Sequence, residues 1–341
     1  IAALRNLLWL NALYQFATLF TVLLHPYRAN VVEWFHAWVL VSGALLVGWT
    51  AGRRGHARLA LNLLLGASLF LAGVAIVQGV LQWAGGDLGP LYVSWPYGMH
   101  KNFVGTVLGF AAICAYARPK WLGWSTRWAF VAFTLYSLGL LFTQSRQAIL
   151  ALGVVLLIVA FREGLPRRRW TVTLLAVVPA LVLVATLVRD QLESGNQFNS
   201  VFQRATWFAD TLAVWAQSPW IGQGLRFWTT ESTGLFFQPP NAELEVLASA
   251  GLIGLAAFLV LMLGALRILW RLPHQYGTVA VAVLASRLVQ TQVDLFWSAV
   301  QVSVPFTIVG LALGALSHDE AEVSPWTDTG SRRLPAEDAL A

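Results

Sequence analysis

The sequence is poor in charge. Only 11% of its 341 residues are Asp, Glu, Lys or Arg, whereas a soluble globular domain carries about 25%. Hydrophobic residues make up 57% of the chain, and its mean hydropathy is +0.65. This balance excludes a soluble protein with a large core and predicts an integral membrane protein.

The sequence also has almost no cysteine. Its one cysteine, Cys114, lies inside an apolar run, which predicts neither a disulfide framework nor a cysteine metal site. No segment resembles a cleavable secretory signal, so we expect the first apolar run to cross the membrane. The pI is about 9.9, but the basic residues cluster in short loops between apolar segments. That pattern indicates membrane topology and not nucleic-acid binding.

Long apolar runs, by contrast, are abundant. Runs of about 17–25 apolar residues can cross a bilayer as helices, and the 17 tryptophans fit aromatic belts at its interfaces. Ten such runs lie at about 4–24, 34–51, 59–83, 100–117, 127–143, 146–161, 170–188, 242–270, 276–293 and 296–316. The predicted fold class is therefore an all-α polytopic membrane protein with about ten transmembrane helices.

Loop charge predicts the orientation. Thirteen basic residues fall in or beside the loops of one side, and the opposite side has six, which are Arg28, Lys101, Arg146, Arg189, Arg204 and Arg226. Because positively charged loops stay in the cytoplasm, we expect both ends of the chain to be cytoplasmic. We predict one transmembrane domain over 1–316, with a long outer-face loop at 189–241. The acidic, aperiodic stretch 317–341 is predicted to be a disordered cytoplasmic tail.

The long loop contains an amphipathic segment, SVFQRATWFADTLAVW (200–215). Apolar residues recur in it at helical spacing, and they are Val201, Phe208, Leu212 and Trp215. Arg204, Trp207 and Thr211 form a different stripe. This pattern predicts a helix that lies on or dips into the outer membrane surface. The simpler alternative is an interfacial helix whose arginine only pairs with a lipid phosphate.

Four polar clusters fall on the predicted outer side. They are His100–Lys101–Asn102, Thr143–Arg146 with Ser145 as the expected helix cap, Arg204, and PPNAELE at 239–245. Cations gathered around a helix N-terminus suit a phosphate or diphosphate, so the clusters favour a lipid-linked diphosphate as ligand. Because Arg146 begins a helix, where a cation opposes the dipole, we expect it to face an anion or a carboxylate.

Some of these residues also have plain structural explanations. Lys101 near a helix end can extend to the lipid headgroups, and Asn241 after two prolines is a good N-cap. Acids in the first turn agree with the helix dipole. In the ninth span, Arg287, Gln290 and Asp294 are spaced to share one helix face. They either form an Arg–Asp pairing with a neighbouring helix or line a cavity for a polar substrate.

The order of these motifs resembles the O-antigen ligase and exopolysaccharide polymerase superfamily. GMHKNFVGTVLGF, TQSRQAIL, RATWFADTLAVWAQSPWIGQGL and PNAELEVLASAGLIGL resemble four of its motifs, in the right order, over about 98–260. The resemblance implies a glycosyltransferase of the bacterial cytoplasmic (inner) membrane with its active site on the outer face. It would move a glycan from an undecaprenyl-diphosphate-linked donor to an acceptor glycan or glycolipid, without nucleotide sugar, metal or other cofactor.

The resemblance also implies roles for particular residues. Arg146 and Arg204 would hold the diphosphate and stabilise its charge as the glycosidic bond breaks. Asn241 would orient the donor or acceptor. The remaining candidates for substrate binding are Lys101, Asn102, Ser145, Trp207, Gly222, Gly224, Arg287 and Asp294.

One position departs from the family pattern. The residue before the motif asparagine is typically a histidine, the base or orienting group for the acceptor hydroxyl, but here it is Pro240. Three interpretations stay open. Glu243 or Glu245 replaces the base, or the reaction needs little base because diphosphate leaves well, or this homologue binds a lipid-linked glycan without transferring it. His100 is a further candidate for the base.

Two other classes of protein remain as alternatives. A transporter or flippase for lipid-linked saccharides would be expected to show helix-breaking motifs in paired halves, and no such pairing is evident. A structural membrane partner in a wall-synthesis complex would tolerate changes at Arg146 or Arg204.

Overall fold

The computed structural model describes residues 2–164, 200–231 and 234–323, with a few positions between 174 and 189. Their regular secondary structure is helical, so the all-α class is confirmed for this part of the chain. The helices are α1 (Ala2–Leu24), α2 (Arg28–Trp38), α3 (Ala44–Ala51), α4 (Ala57–Ala84), α5 (Lys101–Ala117), α6 (Thr126–Thr143), α7 (Arg146–Glu163), α8 (Ser200–Gln217), α9 (Ala242–Trp270), α10 (His274–Gln290) and α11 (Ala299–Val323). Short π-helical segments at Val39–Gly43 and Gly52–His56 connect α2 to α3 and α3 to α4.

Among the described residues, four helical stretches are long and apolar enough to cross a membrane. They are Ala2–Leu24, Arg28–Ala84, Ala242–Trp270 and Ala299–Glu322. The second stretch contains α2, α3 and α4 and is broken at Gly55, whose φ of 81° is not helical. These helices support a membrane protein. The count of about ten spans and the outer placement of the long loop stay predictions.

Glycines let α3 and α11 approach until their backbones touch. A Cβ atom on Gly48 would lie 2.2 Å from the carbonyl oxygen of Thr307, and one on Gly310 would lie 2.3 Å from that of Leu45. Gly52 repeats the contact four residues along the chain. Small residues at this spacing bring membrane helices together because lipid offers no hydrophobic force between them and packing must supply the attraction.

The remaining helices place several of their ends together. α1 packs along α9, α7 along α10, and α5 along α6. At one end of the bundle, the amino ends of α5 and α7 lie side by side, and those of α7 and α9 contact the turn that follows α10. We call this end the polar end, and residues 291–298 the α10–α11 turn.

Two boundaries differ from the sequence-based expectation. α10 ends at Gln290, so the prediction that Asp294 shares a helix face with Arg287 was wrong. The chain turns there, and the Arg287 side chain donates to two carbonyls of the turn. α11 continues to Val323, past position 317 where the tail was predicted to begin. The rest of that tail and most of the predicted span 170–188 lie outside the described residues.

The first part of the connection from α8 to α9 is built into the bundle. In this anchor segment, residues 218–226, the carbonyl of Pro219 accepts from the N–H of Leu252 at 2.9 Å, and that of Trp220 accepts from Ile253 at 3.2 Å. These amides are available because Gly251 has a φ of 64° and interrupts α9. The anchor segment therefore fixes where α8 ends relative to α9.

Candidate functional site

The amino ends of α5 and α7 lie side by side at the polar end. His100 caps α5, since its Nδ1 accepts from the N–H of Asn102 at 3.2 Å. Ser145 occupies the N-cap position of α7, but its side chain makes no capping bond. Its hydroxyl donates instead to Asn102 Oδ1 at 3.4 Å. Gly105 allows this approach, because a Cβ atom there would lie 2.5 Å from that of Ser145.

Three cations of the predicted site come together there. Lys101 lies close enough to Arg146 and Arg204 for their positive charges to act on it. Lys101 begins α5, Arg146 begins α7, and Arg204 lies in the second turn of α8. Two helix N-termini and three cationic side chains thus share one region, an arrangement that suits a ligand with more than one negative charge.

Arg204 is half-buried among charges of both signs. Burial lowers the pKa of its guanidinium, the carboxylate of Asp294 opposes that shift, and Arg146 adds to it. Desolvation and the repulsion from Arg146 raise the free energy of the charged Arg204 guanidinium. A bound anion would lower that free energy.

Asp294 is the acidic member of the cluster. Its Oδ2 accepts from Gln147 Nε2 at 2.5 Å, so the α10–α11 turn is joined to the first turn of α7. Sequence reasoning missed Gln147. Its position directly after Arg146 was the available signal, but nothing in the sequence indicated that Asp294 would lie opposite.

The predicted helix of the long loop is present as α8. Thr211, on the stripe of Arg204, is 1% exposed, whereas its neighbour Leu212 is 42% exposed. The polar stripe therefore faces the bundle and Leu212 faces outward, as expected for a helix beside lipid. On the inward stripe, Trp207 stacks on Phe237, with ring centroids 5.0 Å apart.

Asn241 and Glu243 lie beside the α10–α11 turn. Asn241 caps α9 as predicted, with its Oδ1 accepting from the N–H of Leu244 at 2.9 Å, and its Nδ2 donates to the carbonyl of Gln292 at 3.1 Å. Glu243 Oε1 accepts from Gln292 Nε2 at 2.9 Å. Pro240, in the place of the family histidine, is buried. Glu243 is thus the nearest acid along the chain to that position, and its other oxygen has no hydrogen-bond partner among the described residues.

Gly222 and Gly224 of the anchor segment are packed against protein. A Cβ atom on Gly222 would lie 2.3 Å from the carbonyl carbon of Ser249, and one on Gly224 would lie 2.2 Å from the hydroxyl of Tyr27. Both glycines also have positive φ, 71° and 109°. Their close packing explains why these positions need glycine.

The anchor segment is also held by the α1–α2 hairpin, which sequence reasoning did not connect with it. Thr21 Oγ1 donates to the carbonyl of Ile221 at 2.6 Å, and Asn30 Oδ1 accepts from the N–H of Leu225 at 2.8 Å. Glu33 Oε2 accepts from Arg226 at 2.6 and 2.9 Å. No sequence signal pairs residues so far apart in the chain.

Glu245 and Arg287 lie beneath the surface of the polar end. Glu245 is 1% exposed and accepts from Gln238 Nε2 at 2.8 Å. Arg287 is 0% exposed, and its Nη2 donates to the carbonyls of Leu295 and Phe296. Neither side chain is on the surface where Lys101 and Arg204 meet.

In the parts of the chain that the structure describes, no group of three His, Cys, Asp or Glu side chains is placed to hold a metal ion. That the reaction needs no metal or cofactor stays a prediction.

Apolar membrane-length helices and a cation cluster at helix N-termini define a membrane protein suited to a polyanionic ligand. Residues 128–259, from α6 to the middle of α9, match the family model for O-antigen ligase. The predicted resemblance to this superfamily is confirmed, and the match supports a ligase- or polymerase-like function in the membrane. The matched region contains Arg146, Arg204, Asn241 and Glu243. No curated protein matches the chain.

Proposed function

We propose that this protein is a membrane glycosyltransferase. It transfers a glycan from an undecaprenyl-diphosphate-linked donor to an acceptor sugar on the outer face of the bacterial cytoplasmic membrane, as ligase or polymerase. The observation that carries the proposal is the meeting of Lys101, Arg146 and Arg204 at two helix N-termini. The family match, which covers Arg146 and Arg204 but not Lys101, supports it.

In this reaction the acceptor hydroxyl oxygen bonds to the anomeric carbon of the donor sugar. The bond from that carbon to the diphosphate oxygen breaks, and the oxygen leaves with the electron pair. Arg146 and Arg204 stabilise the charge that develops on the leaving diphosphate. Charge-assisted hydrogen bonds of this kind strengthen as the bond breaks, so they favour the transition state over the bound donor.

The acceptor proton goes to Glu243. One of its oxygens is buried without a hydrogen-bond partner among the described residues, and it lies two residues after the Asn241 cap, so we take it as the replacement for the family histidine. A carboxylate within reach of the hydroxyl can act as general base, whereas Pro240 has no group that could.

The experiment measures release of undecaprenyl diphosphate from a lipid-linked oligosaccharide by the purified protein, together with donor binding. We expect Arg146→Ala and Arg204→Ala to lower kcat by about 100-fold or more, as loss of a transition-state charge partner does. Glu243→Gln should lower kcat by a similar factor while the donor still binds.

The matched control is Arg5→Ala, in the first turn of α1, which is exposed and belongs to none of the predicted site clusters. Turnover that survives in both arginine variants would contradict the roles given to them. Donor binding without turnover, with every acceptor offered, would favour the alternative of a flippase or non-catalytic binder. Absence of donor binding would remove the lipid-linked glycan as ligand.

A further inference from the structure

Arg287 is a buried cation that the proposed chemistry does not use. It lies in the last turn of α10 and is 0% exposed. A cation at this end agrees with the helix dipole, but burying it is costly unless its donors find partners. The burial of Arg287 therefore needs a structural explanation.

Among the described residues, its hydrogen-bond partners are backbone carbonyls of the α10–α11 turn, and both accept from Nη2, whereas Nε and Nη1 have no partner there. Nη2 donates to Leu295 O at 2.5 Å and also to Phe296 O, and the guanidinium carbon lies 5.5 Å from the Phe296 ring centroid. Asp294 and Glu245 are near enough for their negative charges to favour the cation. One planar side chain thus bridges two consecutive carbonyls of the turn and holds its path.

The same turn presents Asp294 to the cation cluster. Asp294 directly precedes the bridged residues, accepts from Gln147 and acts electrostatically on Arg204. On its other side, the turn accepts from the N–H of Ala242 through the carbonyl of Thr291 at 2.9 Å. A shift of the turn would therefore displace Asp294 from Gln147 at the start of α7.

We propose that Arg287 is a positioning residue: it holds the α10–α11 turn so that Asp294 stays bonded to Gln147 in the first turn of α7, and it touches neither donor nor acceptor. This inference rests on the proposed function, and it replaces the sequence-based prediction that Arg287 binds substrate. Asp294 then fixes the first turn of α7, on which Arg146 lies, before the donor arrives.

The test combines steady-state kinetics with a double-mutant cycle on the purified full chain. Arg287→Lys keeps the buried charge but loses the planar guanidinium whose Nη2 donates to both carbonyls. We expect its kcat to fall by about tenfold while KM for the donor stays within about threefold, because the placement of Arg146 at the start of α7 matters most in the transition state. Asp294→Asn should show the same pattern.

If Arg287 acts only through Asp294, the double variant should be no slower than the worse single variant. Losses that multiply would overturn the proposal, since Arg287 would then contribute independently. A raised KM with unchanged kcat in Arg287→Lys would also overturn it, because that result indicates direct binding of the donor.

Hydrogen exchange gives a readout that does not depend on turnover. In Arg287→Lys the amides of 291–298 should exchange faster than in the wild type, and the amides in the middle of α7 should be unchanged. Unchanged exchange in the turn would overturn the proposal. Should the variant not fold, the wild type decides: slow exchange in 291–298 supports a held turn, and exchange at the rate of free peptide refutes it.

The transferase function and the positioning role of Arg287 are refuted by different results. A wild type without turnover refutes the transferase function, while the exchange measurement still decides whether Arg287 holds the turn. A wild type with turnover but multiplying losses refutes only the positioning role.

Discussion

Each end of α7 carries an arginine, and the surroundings of the two arginines differ. At the carboxyl end, Arg162 donates to the carbonyls of Trp270 and Leu272 at 2.5 and 2.7 Å and to the hydroxyl of Thr278 at 3.2 Å. It also lies over the Trp270 ring. At the amino end, Arg146 opposes the helix dipole and shares its surroundings with Lys101 and Arg204.

This difference separates a structural cation from the cations that we propose are functional. Arg162 is 6% exposed, and protein acceptors and the helix dipole both favour it. At the amino end, three cations lie near one another, and Lys101 and Arg146 begin helices, where the dipole opposes a positive charge. Clusters of like charge are typical of binding sites.

The largest expected effect is on the free energy of unfolding, when each of the two arginines is replaced singly by methionine. Arg162→Met should lower the free energy of unfolding by about 3 kcal/mol, because the carbonyls of Trp270 and Leu272 and the Thr278 hydroxyl lose their donor. Arg146→Met should change it by less than about 1 kcal/mol, because Arg146 is only partly buried and a partly exposed cation keeps much of its hydration. Thermal unfolding in detergent measures both. Equal destabilisation of the two variants would show that Arg146 is structural and would contradict the difference drawn between the two arginines.

A second effect concerns an added anion. Inorganic diphosphate at about 100 times its dissociation constant should stabilise the wild type by about 2.7 kcal/mol, because it binds only the folded cation cluster. Arg162→Met should keep this stabilisation and Arg204→Met should lose it. Chloride at equal ionic strength is the control for general screening. If Arg204→Met were stabilised as much as the wild type, the anion would have to bind elsewhere.

The smallest expected effect belongs to Lys101, which is half-buried at the rim of the cluster. Lys101→Met should weaken donor binding by about 1 kcal/mol, or about fivefold in KM, because a partly exposed ammonium is largely hydrated already. The difference should shrink as salt is raised. A measurement of KM at two salt concentrations checks this, and a salt-independent loss of kcat would instead place Lys101 at the reacting bond.

Sequence reasoning predicted the features that depend on local pattern. Arg146 and Asn241 each follow the end of a polar stretch and precede an apolar run, and both positions at a helix start are confirmed. The α8 helix was predicted because its apolar residues recur at helical spacing. These features follow from periodicity and capping, which operate over a few residues.

The features that escaped prediction depend on contacts between distant parts of the chain. Asp294 was assigned to a helix because its spacing suits one, but the side chain of Arg287 bonds the carbonyls beyond Gln290 and the chain turns. The pair of Glu33 and Arg226 joins the α1–α2 hairpin to the anchor segment. No periodicity reports which of many arginines meets which carboxylate once the helices pack.

The break at Gly251 limits how this protein could be recombined with its relatives. The helix α9 receives the anchor segment through that break, and the α1–α2 hairpin holds the same segment from the other side. If residues 189–241 alone were replaced by those of a relative, the carbonyls of the new segment would face α9 and α1–α2 residues that are not matched to them. A chimera that exchanges the loop must carry residues 21–33 and 246–253 with it, so the loop and the two segments that hold it have to be exchanged together as three pieces of sequence.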